Sequence, residues 1–242
     1  LGLAYYFLGE LNLAYENLKK AESLTNNKED LMYIYHIIGL ILYRMGYLDD
    51  ALLYYSRGLS LAKDLGDTDL QAVLLSNIAI IYGEKGELDK ALNYFEESLR
   101  LERNEEAKAP AYQNIATIYY EKGDYQKAVE YLQKTIEISE KYGDYHEVSI
   151  GKLNLGNTYR KMRDYENAEK YLFEGLEGVK KVGDKFWEAY GYWYFGRLYR
   201  DKGNKIEAKE YFTRAYNLYK SIGAEGYAQD VLEEIKKLDK SN

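Results

Sequence analysis

The chain contains no cysteine, a single proline (Pro110), two histidines (His36 and His146) and no apolar run long enough to cross a bilayer, which takes about 20 residues. Without cysteine there is neither disulfide stapling nor a thiolate metal site, as is usual for cytoplasmic chains. Near-absence of proline, with abundant Ala, Leu, Glu, Lys and Tyr, favours helix over a turn-rich β architecture. No local spacing links either histidine to a carboxylate or serine as a catalytic triad requires. A metal site would need several converging ligands, and two isolated histidines do not supply them. No Gly-rich phosphate loop occurs. Catalysis, metals and organic cofactors are therefore not expected. The net charge of −7 gives no general reason to expect nucleic acid, because phosphate binding needs clustered Lys and Arg. Many Lys and Glu without cysteine also match thermophile composition, where surface ion-pair networks help.

What the chain does have is repetition. A small residue recurs at Gly2, Gly39, Ala79, Ala116, Gly156 and Gly196, spaced by 37, 40, 37, 40 and 40 residues. Three residues after these anchors stand Tyr5, Leu42, Tyr82, Tyr119, Tyr159 and Tyr199; seven after stand Gly9, Gly46, Gly86, Gly123, Arg163 and Gly203. Twelve after, alanine occurs six times: Ala14, Ala51, Ala91, Ala128, Ala168 and Ala208. Sixteen after come Leu18, Tyr55, Phe95, Leu132, Leu172 and Phe212; nineteen after come Ala21, Gly58, Ser98, Thr135, Gly175 and Ala215.

Small residues at the anchor and alanine rows let two helices approach closely. The aromatic and leucine rows fill the space between layers at helical spacing. Glycine between the helices supplies the left-handed conformation that ends a helix, so Arg163 is expected to carry a modest conformational cost. Each unit is thus a helix, a short turn and an antiparallel second helix.

This pattern resembles the tetratricopeptide repeat (TPR) family over nearly the whole chain. The resemblance implies an all-α fold, a right-handed superhelical α-solenoid of six helix-turn-helix units. The common repeat is about 34 residues. Here a further glycine, at Gly66, Gly143, Gly183 and Gly223, lies 27 residues past its anchor in four repeats. It points to a longer second helix with a glycine C-cap. Such 40-residue variants resemble those of kinesin light chains, the spindle-orientation adaptors and bacterial peptide-sensing regulators. Repeats are expected over about 1–30, 31–70, 71–107, 108–147, 148–187 and 188–223, in a single domain spanning 1–242. Ala228, Val231, Leu232, Ile235 and Leu238 form one apolar stripe, giving a capping helix over 224–239. The first repeat reads as truncated, with a natural end at the C-terminus and a cut one before Leu1.

The resemblance places the first helices on the concave side of the superhelix. Offsets of −6, −2, +1 and +4 or +5 from the anchor follow one side of that helix. At −2 stand Asn77, Asn114 and Asn154, whose amides could pair with the backbone of an extended peptide; asparagines at the matching place do so in related repeat proteins. The alternative is that they pair with neighbouring helices and hold the stack. The same face carries Tyr6, Phe7, Leu40 and Tyr43 early, and Thr117 and Tyr120 in the middle with Glu84 and Glu121 nearby. Late in the chain it carries Asn157, Arg160, Lys161, Trp193, Tyr194, Arg197 and Arg200. Four cations against Asp201 form a basic patch that would suit an acidic peptide or a terminal carboxylate. Equally, these cations stand near helix C-termini, where they oppose the helix dipole. The Lys and Asn set of the family's carboxylate-clamp subclass is replaced here by Leu3, Ile37, Val73 and Asn77, which argues against chaperone-tail recognition.

The functional expectation is a scaffold that binds a protein or peptide in the groove, with no enzyme activity and no membrane or nucleic-acid partner. The alternative is the sensor or oligomerisation domain of a larger regulatory protein. Homo-oligomerisation stays open.

Overall fold

The computed structural model describes residues 1–240, among which there are thirteen α-helices, a 3-10 turn at Glu106–Lys108 and no strand. The helices fall into two compact units, Leu1–Ala107 and Lys108–Asn242. The first holds α1 (Gly2–Phe7), α2 (Leu11–Leu24), α3 (Lys28–Arg44), α4 (Leu48–Leu65), α5 (Thr68–Glu84) and α6 (Leu88–Leu101). The second holds α7 (Ala109–Glu121), α8 (Tyr125–Tyr142), α9 (Tyr145–Lys161), α10 (Tyr165–Val182), α11 (Lys185–Asp201), α12 (Lys205–Ser221) and α13 (Glu225–Lys240).

Side-chain caps set where the first helices start. Asn27 accepts from the N–H groups of Glu29 and Asp30, Asp67 from Leu70, Asp144 from Glu147 and Asp184 from Trp187. As a result α3, α5, α9 and α11 begin three residues ahead of the repeat limits placed by counting from the anchors. Within each pair the turn is built the same way. The residue eight past the anchor donates its N–H to the carbonyl three past it, as in Tyr47 to Leu42 and Asp124 to Tyr119, both at 2.9 Å. This is the six-to-one bond of a Schellman motif, and it requires a positive φ at the residue between. Arg163 adopts it without being glycine, at φ 63°. The second helices α4, α8 and α10 run 18 residues to a left-handed glycine, whereas α2 and α6 stop after 14.

Packing explains the repeated rows. All six alanines of the +12 row are fully buried, and all six +16 side chains lie in the core. A Cβ on Gly156 would stand 2.7 Å from Leu172 Cγ and 2.8 Å from its backbone nitrogen, so helices α9 and α10 meet at that point. The +19 row rests against a carbonyl of the first helix. Ser98 Oγ donates to the Ala72 carbonyl (2.7 Å) and Thr135 Oγ1 to that of Ala109 (3.4 Å). At Gly175 a Cβ would press on the equivalent Ser149 oxygen.

A further row escaped the sequence reading. Tyrosines fifteen past the anchor stack on those three past it: Tyr82–Tyr94, Tyr119–Tyr131, Tyr159–Tyr171 and Tyr199–Tyr211, with interplanar angles of 13° or less. A lysine ammonium lies over a ring of every pair, from Lys90, Lys127, Lys170 and Lys202. Helix α13 closes the last pair, burying Ala228, Val231 and Leu238 in a cluster with Phe212, Ala215 and Tyr219.

Two stability predictions follow from this packing. Because Arg163 is exposed and a left-handed residue costs about 1–2 kcal/mol, Arg163→Gly should raise stability by up to about 1 kcal/mol. Gly156→Ala should lower it by about 1–3 kcal/mol, while Gly83→Ala, with nothing near its Cβ position, should gain about 0.5 kcal/mol. Thermal melts of the three variants would check both signs.

Candidate functional site

The second unit contains a cavity of about 360 Å³ walled by first helices α7, α9 and α11. Helical phase decides which side chains reach it. From α7 come Gln113, Thr117, Tyr120 and Glu121; from α9 come Asn154, Asn157 and Thr158; from α11 come Trp187, Tyr190 and Tyr194. Spacings of three, four and seven within each helix put these residues on one side.

Six of the residues singled out in the sequence, Thr117, Tyr120, Glu121, Asn154, Asn157 and Tyr194, meet here. Tyr194 donates its hydroxyl to Asn154 Oδ1 at 3.2 Å, linking α11 to α9. Asn157 Nδ2 donates to the Tyr120 hydroxyl at 3.1 Å, linking α9 to α7. Asn157 Oδ1 accepts from Arg160 Nε at 3.0 Å, and Arg160, only 4% exposed, pairs with Asp201. Burial, followed by the neighbouring Tyr190, pushes the Tyr194 phenol well above its ordinary pKa, so it remains a hydrogen-bond donor. The asparagines therefore do pair between helices. Asn154 Nδ2 nonetheless has no partner among the described residues.

The other expected residues lie elsewhere. Asn77 belongs to the first unit, where its Nδ2 stands 3.4 Å from Nε2 of His36, an imidazole whose pKa burial lowers. Asn114 is absent from the cavity lining and its amide has no partner among the described residues. Its neighbour Gln113 is turned inward instead, and Gln113 Oε1 is buried without a hydrogen bond. Trp193 faces away from the cavity, into the core cluster of α12 and α13, with the Arg197 guanidinium 4.3 Å above its ring. Trp187, Tyr190 and Gln113 were missed; the seven-residue spacing from Trp187 to Tyr194 was the available signal.

The basic patch needs correcting, because its arginines are already engaged. Arg197 donates twice to Glu234 Oε1 at 3.2 Å, and Arg200 donates to Glu234 Oε2 at 2.7 Å and to Asp201 at 3.1 Å. Glu234 lies on α13, 34 residues beyond Arg200, so no local pattern revealed the pairing. Lys161 is placed over the Tyr120 ring, 6.0 Å from its centre.

Comparison with known proteins settles the family. A model described as the tetratricopeptide repeat matches residues 30–104, 70–141, 108–177 and 147–221. The chain belongs to the tetratricopeptide repeat family. A TPR repeat-containing protein of Methanocaldococcus jannaschii, MJ1428, is 35% identical over 107 residues, 44% of this chain. The match spans 17% of that protein's length. Among solved structures, BtubC (BKLC) from P. vanneervenii superposes with a TM-score of 0.73 at 19% identity, over 89% of this chain and 90% of that one. YrrB, described as a TPR protein with an unusual peptide-binding site, gives 0.57 at 20% identity, over 84% and 93%. The fold is thus the all-α TPR-like solenoid.

In this TPR chain the paired arginines matter first for docking of the last helix. Glu234→Gln should lower stability by about 1–3 kcal/mol, since it weakens two charge-assisted contacts at a partly buried position. Hydrogen exchange should accelerate in α13 before it does in α7 and α8; uniform acceleration would count against this role.

Proposed function

We propose that this TPR chain is an interaction scaffold that takes a peptide segment of a partner protein at the α7–α9–α11 cavity. The observation that carries the reading is the lining itself. Aromatic rings from Tyr120, Trp187, Tyr190 and Tyr194 offer contact area, while Asn154 Nδ2 is left as a donor without a partner among the described residues. Pockets of this kind, mostly apolar with a few polar groups left to fix orientation, are where ligands bind. The pairing of Asn154 and Asn157 with tyrosines fixes their orientation before a ligand arrives, which reduces the ordering cost of binding. The peptide-binding site in the description of YrrB adds support by fold likeness.

A second reading concerns context. The match to only 17% of the length of MJ1428 favours a role as one segment of a larger protein, in which the cavity senses a ligand for other domains.

The test is selection of random dodecapeptides displayed on phage against the intact chain. Enriched peptides should lose at least ten-fold in affinity on Tyr190→Ala and several-fold on Asn154→Ala, with helicity unchanged. The control Ile206→Ala, at an 84% exposed position on α12, should bind normally. Affinity unaffected by both cavity substitutions would place binding elsewhere.

A further inference from the structure

Charge at this site points to the chemistry of its ligand, and the argument rests on the peptide-binding reading above. The acidic character of the chain lies in the first unit: residues 1–107 carry 10 Lys and Arg against 18 Asp and Glu, and residues 108–242 carry 23 against 22. Around the cavity, moreover, the arginines are consumed internally. Arg160 is buried on Asp201 and Asn157, while Arg197 and Arg200 are held by Glu234. None of the three lines the cavity, and neither does Lys161.

The charge that does line it is the Glu121 carboxylate, exposed at the end of α7 and without a partner among the described residues. Gln113 Oε1, eight residues earlier on the same helix, is buried without a hydrogen bond. The remaining wall carries four aromatic rings, Tyr120 from α7 and Trp187, Tyr190 and Tyr194 from α11, among small, apolar and amide side chains. Aromatic faces carry negative potential and attract cations. Aromatic rings and a free carboxylate, with no cation among the lining residues, together make a site that disfavours an anion and receives a cation. The chain already applies this pairing at its surface, where lysine ammonium groups lie over tyrosine rings.

We infer that the α7–α9–α11 cavity receives an arginine side chain of a basic peptide segment, with its guanidinium against the aromatic wall and its N–H groups directed to the Glu121 carboxylate. Arginine suits it better than lysine for two reasons. A planar guanidinium stacks on rings and is weakly hydrated, and its fixed fork can pair with both oxygens of one carboxylate. A volume of about 360 Å³ lies at the small end of ligand pockets, matching one long side chain better than a folded segment. The inference replaces the acidic ligand expected from the sequence, whose arginine partners are already occupied.

The experiment uses the whole chain and four end-blocked pentapeptides, Gly-Ser-X-Ser-Gly, with X as Arg, Lys, norleucine or Glu. Titration to millimolar concentration would be read by tryptophan fluorescence. Trp187 lines the cavity, and the only other tryptophan, Trp193, is buried away from it. The Arg peptide should bind at least five-fold tighter than the norleucine peptide, Lys should fall between them, and Glu should be weakest. Glu121→Gln should reduce Arg affinity about five-fold and leave norleucine within two-fold. A Glu peptide as tight as the Arg peptide, or equal binding by Arg and norleucine, overturns the cationic preference while leaving peptide binding intact. Loss of all four peptides alike on Glu121→Gln also overturns it. If none of the four binds the folded chain, the cavity is not a side-chain site, and this inference falls together with peptide binding there.

Discussion

Everything else in each repeat depends on one contact, the seating of a large side chain of the second helix against a small residue of the first. Leu172 fills the space that a Cβ on Gly156 would need, and Leu18 does the same at Gly2. Phe95 and Leu132 stand at the same offset from Ala79 and Ala116, and all four are buried. Because interiors are packed to near crystal density, the helices cannot slide or separate without opening a void. That contact sets the distance between paired helices, and the alanine row twelve residues on sets it again one turn away. The tyrosine pairs at +3 and +15 extend the same seam toward solvent, where lysines cover them.

The cavity in the second unit depends on this seam. Gly156 lies between Asn154 and Asn157 in α9, so the helix that packs on Leu172 with one side presents both asparagines on others. A polar chain then fixes the walls relative to one another. It runs from Tyr120 on α7 through Asn157 and Arg160 on α9 to Asp201 on α11. A buried arginine is stable only when its donors are satisfied, so this chain forms as a whole or leaves a charge stranded. It spaces three helices and keeps Arg160 out of the cavity. The charge balance of the site follows from that arrangement more than from its composition.

Much of the fold was legible. Six anchors, six alanines and the positive-φ row were found by counting, and the non-glycine exception Arg163 does adopt φ 63°. The stripe of Ala228, Val231 and Leu238 identified α13 as a cap. Helix starts do not follow from the anchors, which report packing; they are decided by Asn27, Asp67, Asp144 and Asp184 acting as caps. The site was legible only in part. Thr117, Tyr120, Glu121, Asn154, Asn157 and Tyr194 were named from the sequence and line the cavity, but Trp193 was taken for a groove residue when its ring lies in the core. Trp187 and Gln113, which do line the cavity, were passed over.

The chain alone determined its repeat unit, its helical class and the close contacts between paired helices. These rest on interactions between residues a fixed sixteen or twenty-six positions apart, so periodicity reveals them. Only the tertiary structure decided which polar groups are free. Arg197 and Arg200 meet Glu234 from another helix, Asn154 meets Tyr194 forty residues on, and Glu121 meets nothing among the described residues. A hydrogen bond or ion pair is satisfied by whichever group folding brings within about 3 Å, and that identity does not repeat along the chain.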